Sequence, residues 1–119
     1  MQAVGKTKAD MRFYRYIYIT HKLAKSEERK NMRKIFEPGR TVITTNAMNT
    51  LRKDDVLKAF SRHLKGDWGR SRDKEANDAA VENEDNRIVS VYRDGEGVKF
   101  WIITEADRSV TTILLPEDY

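Results

Sequence analysis

The chain has 119 residues with 23 Lys and Arg against 19 Asp and Glu, a net charge of +4, and is long enough to bury a core without covalent or metal staples. With no cysteine it has no disulfide scaffold, thiol nucleophile or thiolate metal site, and its two widely separated histidines, His21 and His63, do not form a His-rich zinc centre. No apolar run approaches the roughly 18 residues of a membrane span, and Arg12 and Arg15 break the N-terminal apolar stretch, so a cytoplasmic protein with no membrane partner is expected.

The charge is uneven along the chain. Residues 1–40 carry 11 Lys and Arg against 4 acids, whereas residues 41–119 carry 12 against 15. A basic arm on a mildly acidic body suggests contact with polyanions. Residues 1–9 are polar and read as disordered. From Met11 to Thr20, Phe13, Ile17 and Ile19 alternate with Arg12, Tyr14, Tyr16 and Tyr18, the pattern of a half-buried strand. Its Arg12 and Arg15 are candidate nucleic-acid contacts. Ser26 starts a short charged helix with almost no apolar face. Met32 then looks like the start of a self-contained domain, giving a basic extension over 1–31 and one α+β domain over 32–119.

Pro38-Gly39 marks a turn, and a short strand follows near 40–45. Thr45 or Asn46 caps a single helical turn through Leu51. A helix over 54–65 places Val56, Leu57, Phe60 and Leu64 in a stripe about 100° wide, with Lys58, Arg62 and Lys65 opposite as further candidate nucleic-acid contacts. Gly66 suits the helix end. A second helix over 73–83 carries Ala76, Ala79 and Ala80 on one side, with Asn77 at the margin of that face. Strands follow at 87–93, around Trp101, and from Val110 to Pro116, joined by Asp94-Gly-Glu-Gly97 and Glu105-Ala-Asp-Arg-Ser109.

The strand around Trp101 is apolar on both faces, with Phe100 and Ile102 on one and Trp101 and Ile103 on the other. The expected fold is therefore an antiparallel sheet, made of this three-strand meander plus the strand near 40–45. Two helices pack on one face, and the other face needs a second cover. The Phe13–Ile19 segment, the Ile35-Phe36 pair or a second copy of the chain would supply it, and a homodimer is expected.

Five residues stand out as candidate ligand or partner contacts. Asp67 and Trp68 lie between glycines, and Glu105, Asp107 and Arg108 form a polar hairpin tip able to hold an ion or a phosphate. The same tip chemistry also satisfies turn amides. His63 reads as a helix-end histidine. There is no Gly-rich phosphate loop, no serine nucleophile motif and no carboxylate pair at metal-ligand spacing, so no catalytic residue, metal or cofactor is assigned.

Taken together, Gly66-Asp-Trp-Gly69, Ala76-Asn-Asp78, Arg87-Ile-Val-Ser-Val-Tyr92, Trp101-Ile-Ile-Thr-Glu-Ala-Asp-Arg-Ser109 and Thr111-Thr-Ile-Leu-Leu-Pro-Glu-Asp-Tyr119 resemble a family of small bacterial proteins. These are carried on plasmids and integrative elements and called plasmid-related proteins. The resemblance covers about residues 32–119 and implies a mobile-element origin, with no activity to transfer. The expected function is a non-enzymatic binding module with a nucleic-acid or protein partner. The alternative is a toxin-type endoribonuclease of a toxin–antitoxin pair, built on Arg62, His63, Arg87 and Arg108. A third reading, an acidic mimic of DNA, sits badly with the basic arm.

Overall fold

Side-chain alternation along four short strands decides which residues face the helices and which face away. The structure, a computed structural model, describes residues 33–119. The expectations for the strand at 11–20, the helix at Ser26 and the contacts of Arg12 and Arg15 lie outside the described residues.

The order of elements is β1 (Arg40–Ile43), α1 (Thr45–Thr50), α2 (Lys53–Leu64), α3 (Lys74–Asn83), β2 (Ile88–Arg93), β3 (Lys99–Thr104) and β4 (Val110–Leu114), with a final 3-10 turn at Pro116–Asp118. This is an α+β fold. β2, β3 and β4 form the expected antiparallel meander, and the sheet order is β1-β4-β3-β2. One pair differs from expectation: β1 joins β4 in parallel, with Thr41 opposite Thr111 and Ile43 opposite Ile113, which makes the sheet mixed. The crossover from β1 through the helices and meander returns the chain beside its start, as a parallel pair requires.

On the helix side, Ile43, Tyr92, Phe100, Ile102 and Ile113 pack against Val56, Ala59, Phe60 and Leu64 of α2. Thr44 caps α1 by accepting from the Ala47 N–H at 3.1 Å. A smaller cluster of Trp68, Ala80 and Ile88 continues the core beneath α3.

The face of α3 differs from the alanine stripe. Ala76 and Ala79 are exposed, and Asn77 and Ala80 are the buried residues. The reason lies at the sheet edge, where the Asn77 carboxamide donates to the Val89 carbonyl at 2.8 Å and accepts from the Val89 N–H at 3.1 Å. Two residues along, Val91 donates to the Trp68 carbonyl and accepts from the Arg70 N–H. A side-chain amide and one turn of loop thus stand in for a fifth strand and close the β2 edge. Gly69 takes φ +66 at that bridge, where a Cβ would collide with the Val91 carbonyl oxygen.

Candidate functional site

The face of the sheet turned away from α2 carries Val89, Val91 and Arg93 from β2, with Arg87 just before that strand, and Lys99, Trp101 and Ile103 from β3. Over this half the described residues leave the second face uncovered: Phe36 packs on the helix side, and the segment at 13–19 lies outside the described residues. The uncovered face forms a groove enclosing about 480 Å³, walled by Arg70, Ser71, Arg72 and Asp73 before α3 and by Tyr119 at the chain end. Ile103 lies buried at the floor, while Trp101 is half-buried.

Among the described residues, five cations and one acid line this groove. The three ion pairs among the described residues, Lys34–Glu37, Arg52–Asp55 and Arg62–Asp67, involve none of them. The cross-strand register sets Val89 opposite Ile103, Val91 opposite Trp101 and Arg93 opposite Lys99. Two like charges directly opposite on one face destabilise an antiparallel pair. Arg93 also donates to the Gly97 carbonyl at 2.8 Å, which holds its guanidinium over the strand end. Arg87 donates to the Tyr119 hydroxyl at 2.9 Å, and this bond raises its pKa above the usual value. The Tyr119 ring lies 5.8 Å from that of Trp101 at 66°, so an arginine and two aromatics form a row along one end of the groove. The groove can therefore place cations around a largely apolar, aromatic floor.

The candidates named from sequence stand elsewhere. Arg62 and Asp67 bind each other in a bidentate pair, at 2.8 and 3.1 Å, on the helix side. That hydrogen bond holds the Asp67 carboxyl below, and the Arg62 guanidinium above, their ordinary values. Lys58 on α2 and Lys65 just past its end are exposed, across the sheet from the groove. Trp68 is only 3% exposed and donates its indole N–H to Asp78 at 2.8 Å, so it offers no surface to a ligand.

At the hairpin tip, Asp107 accepts from the Ser109 N–H and hydroxyl at 2.9 and 2.6 Å. The Ser109 hydroxyl bond is the main cause of its lowered pKa. Arg108 donates to the carbonyls of Ala80, Asp85, Asn86, Glu105 and Ala106, tying the end of α3 to the β3–β4 turn. Glu105 contributes backbone atoms to the same knot. Among the described residues no cluster of His, Asp and Glu able to hold a metal is present.

His63 is fully buried. Its Nδ1 lies 2.6 Å from the Ser90 hydroxyl and its Nε2 2.9 Å from that of Thr104. Thr104 lies 2.7 Å from Thr111, which donates to the Pro38 carbonyl at 2.6 Å. With that last proton committed, Thr104 must donate to Thr111 and accept from Nε2–H, leaving Nδ1 to accept from Ser90. Burial pushes the imidazole pKa down to about 3. A neutral histidine sealed from solvent holds the helix to the sheet and cannot reach a substrate. The four residues named for ribonuclease chemistry are thus not gathered at one surface: Arg62 is paired with Asp67, His63 is sealed in, Arg108 is bound to carbonyls, and Arg87 alone lies in the groove.

Of the groove cations, only Arg87 is among the residues that the sequence singles out. The available signal was parity: Val89, Val91 and Arg93 share one face of β2, with Arg87 in the same alternation just before it, and Lys99, Trp101 and Ile103 share the same face of β3. Arg70 and Arg72 carried no such signal, because their place depends on the chain bridging to Val91. No protein-family model, curated protein or solved structure matches the chain.

Proposed function

We propose that the protein is a non-enzymatic binding module that holds nucleic acid against the open half of its sheet. The observation carrying this reading is the placement of Arg93 opposite Lys99, with Arg70, Arg72 and Arg87 lining the same groove. Folding alone gains nothing from like charges set opposite each other. A polyanion laid across them turns that repulsion into attraction and releases its condensed counterions. Carriage on a bacterial mobile element, implied by the resemblance to plasmid-related proteins, belongs to the same proposal.

The test is the variant Lys99→Glu, for which stability and binding should move in opposite directions. Setting a carboxylate opposite Arg93 in place of the ammonium is expected to raise the free energy of unfolding by a few tenths of a kcal/mol up to about 1 kcal/mol. The same change is expected to weaken the shift of labelled RNA or DNA oligonucleotides in a gel by at least tenfold. A more stable variant that binds as tightly as the parent removes the groove from the binding surface. Cleavage of the oligonucleotide by the parent would replace the binding reading with an enzymatic one.

A further inference from the structure

We infer that the ligand is single-stranded, with one base stacked on Trp101 and its phosphates led along the arginine rim; this rests on the groove being the nucleic-acid surface. Charge is not all that lines the groove. Val89, Val91, Ile103, Trp101 and Tyr119 make its floor and one end. A site for phosphate alone needs cations and backbone donors and draws no benefit from an apolar floor.

A duplex keeps its base faces stacked inside and offers the floor only phosphates and groove edges. Covering Val91 and Trp101 with that charged surface would strip water from phosphates without burying base against ring. A single strand exposes both kinds of group. Its bases can leave water for the apolar floor while its phosphates remain at the rim, where Arg70, Arg72, Arg87, Arg93 and Lys99 are all exposed.

Length is consistent with a short run of nucleotides. Arg93 ends β2 and Arg87 stands just before its start, six residues apart, about 20 Å at the usual rise of extended chain. Between them the Trp101 ring meets that of Tyr119 at 5.8 Å and 66°, and the Tyr119 hydroxyl is in turn held by Arg87. These contacts restrict the Trp101 ring before any ligand arrives, which lowers the ordering cost of binding.

Trp101 is also its own reporter. The other tryptophan, Trp68, is buried on the helix side of the sheet beside His63 and Phe36, away from the groove. The full chain would be titrated with RNA and DNA decamers of one sequence, with the corresponding duplex, and with inorganic polyphosphate, following both tryptophan emission and anisotropy. Single strands are expected to quench the emission and to bind at least tenfold more tightly than the duplex, while polyphosphate binds without quenching. Trp101→Leu should reduce the ratio of single-strand to polyphosphate affinity about tenfold, within the range of one stacked base, and Trp101→Phe should restore most of it. A retained thermal transition in both variants excludes misfolding.

Duplex binding equal to that of the single strand, or a ratio unchanged in Trp101→Leu, would overturn the stacking inference and leave an electrostatic groove. Absence of binding to every polyanion would instead remove the nucleic-acid reading beneath it. RNA bound more tightly than DNA would identify which single strand is the source, and equal binding would show that the site reads the features the two share.

Discussion

At the scale of single residues, buried polar groups are more informative here than exposed ones. His63 lies between two hydroxyls in a chain whose protons run one way, from Ser90 to the ring to Thr104 to Thr111 to Pro38. An imidazolium would need acceptors at both nitrogens and would reverse the Ser90 end. The folded pKa of about 3 lies below the ordinary 6.5, so between those values the unfolded chain binds the extra proton. Stability therefore rises with pH through that window and levels off above about 6.5, and this one group contributes a slope of about 1.4 kcal/mol per pH unit. Urea unfolding from pH 4 to 7 should show that slope in the parent beyond the slope in His63→Gln, and equal slopes would mean that the ring is already charged. Thr112 presents the opposite case. Its buried hydroxyl has no hydrogen-bond partner among the described residues. Thr112→Val keeps the shape and removes the orphan, and should raise unfolding free energy by about 1 kcal/mol in the same assay.

At the scale of elements, the meander and α2 were legible because period and burial agree in them. Val56, Phe60 and Leu64 recur at helical spacing, and Phe100 and Ile102 alternate with Trp101 and Ile103. The parallel docking of β1 on β4 was not legible, since nothing in a four-residue strand states which edge it will join. The α3 face was misjudged for a different reason. Helix periodicity weighs apolar surface, whereas α3 is oriented by Asn77 pairing with an edge strand and by Asp78 receiving the Trp68 indole N–H. The pairing needs one donor and one acceptor on the same side chain. Asn77→Asp keeps an acceptor for the Val89 N–H but faces the Val89 carbonyl with a second oxygen. It should therefore cost about 1–3 kcal/mol in urea unfolding, more than an exposed substitution at Ala76. A loss no larger than at Ala76 would show that the edge does not depend on this amide.

At the scale of the whole molecule, the groove charge is local and does not reflect general basicity. Residues 33–119 hold 15 Lys and Arg against 16 Asp and Glu, yet the groove concentrates five of those cations with one acid. The rest of the described surface is net acidic and repels a polyanion, so among the described residues approach is favoured from the groove side. The candidate site was hard to read from sequence for this reason: α2 shows its cations as a helical stripe, whereas the groove draws its five from a loop and two strands, three separate stretches of chain. The arrangement fixes the salt dependence. If at most five phosphates are neutralised, the plot of log affinity against log salt for a single strand should fall with a slope no steeper than about −3.5, at roughly 0.7 per contact. Arg72→Gln should make it shallower by about 0.7, and the double change Lys58→Gln, Lys65→Gln, on the far side of the sheet, should leave it where it was. A slope that responds to Lys58 and Lys65 and not to Arg72 would move the binding surface to the helix face, where Arg62 already has Asp67 as its partner.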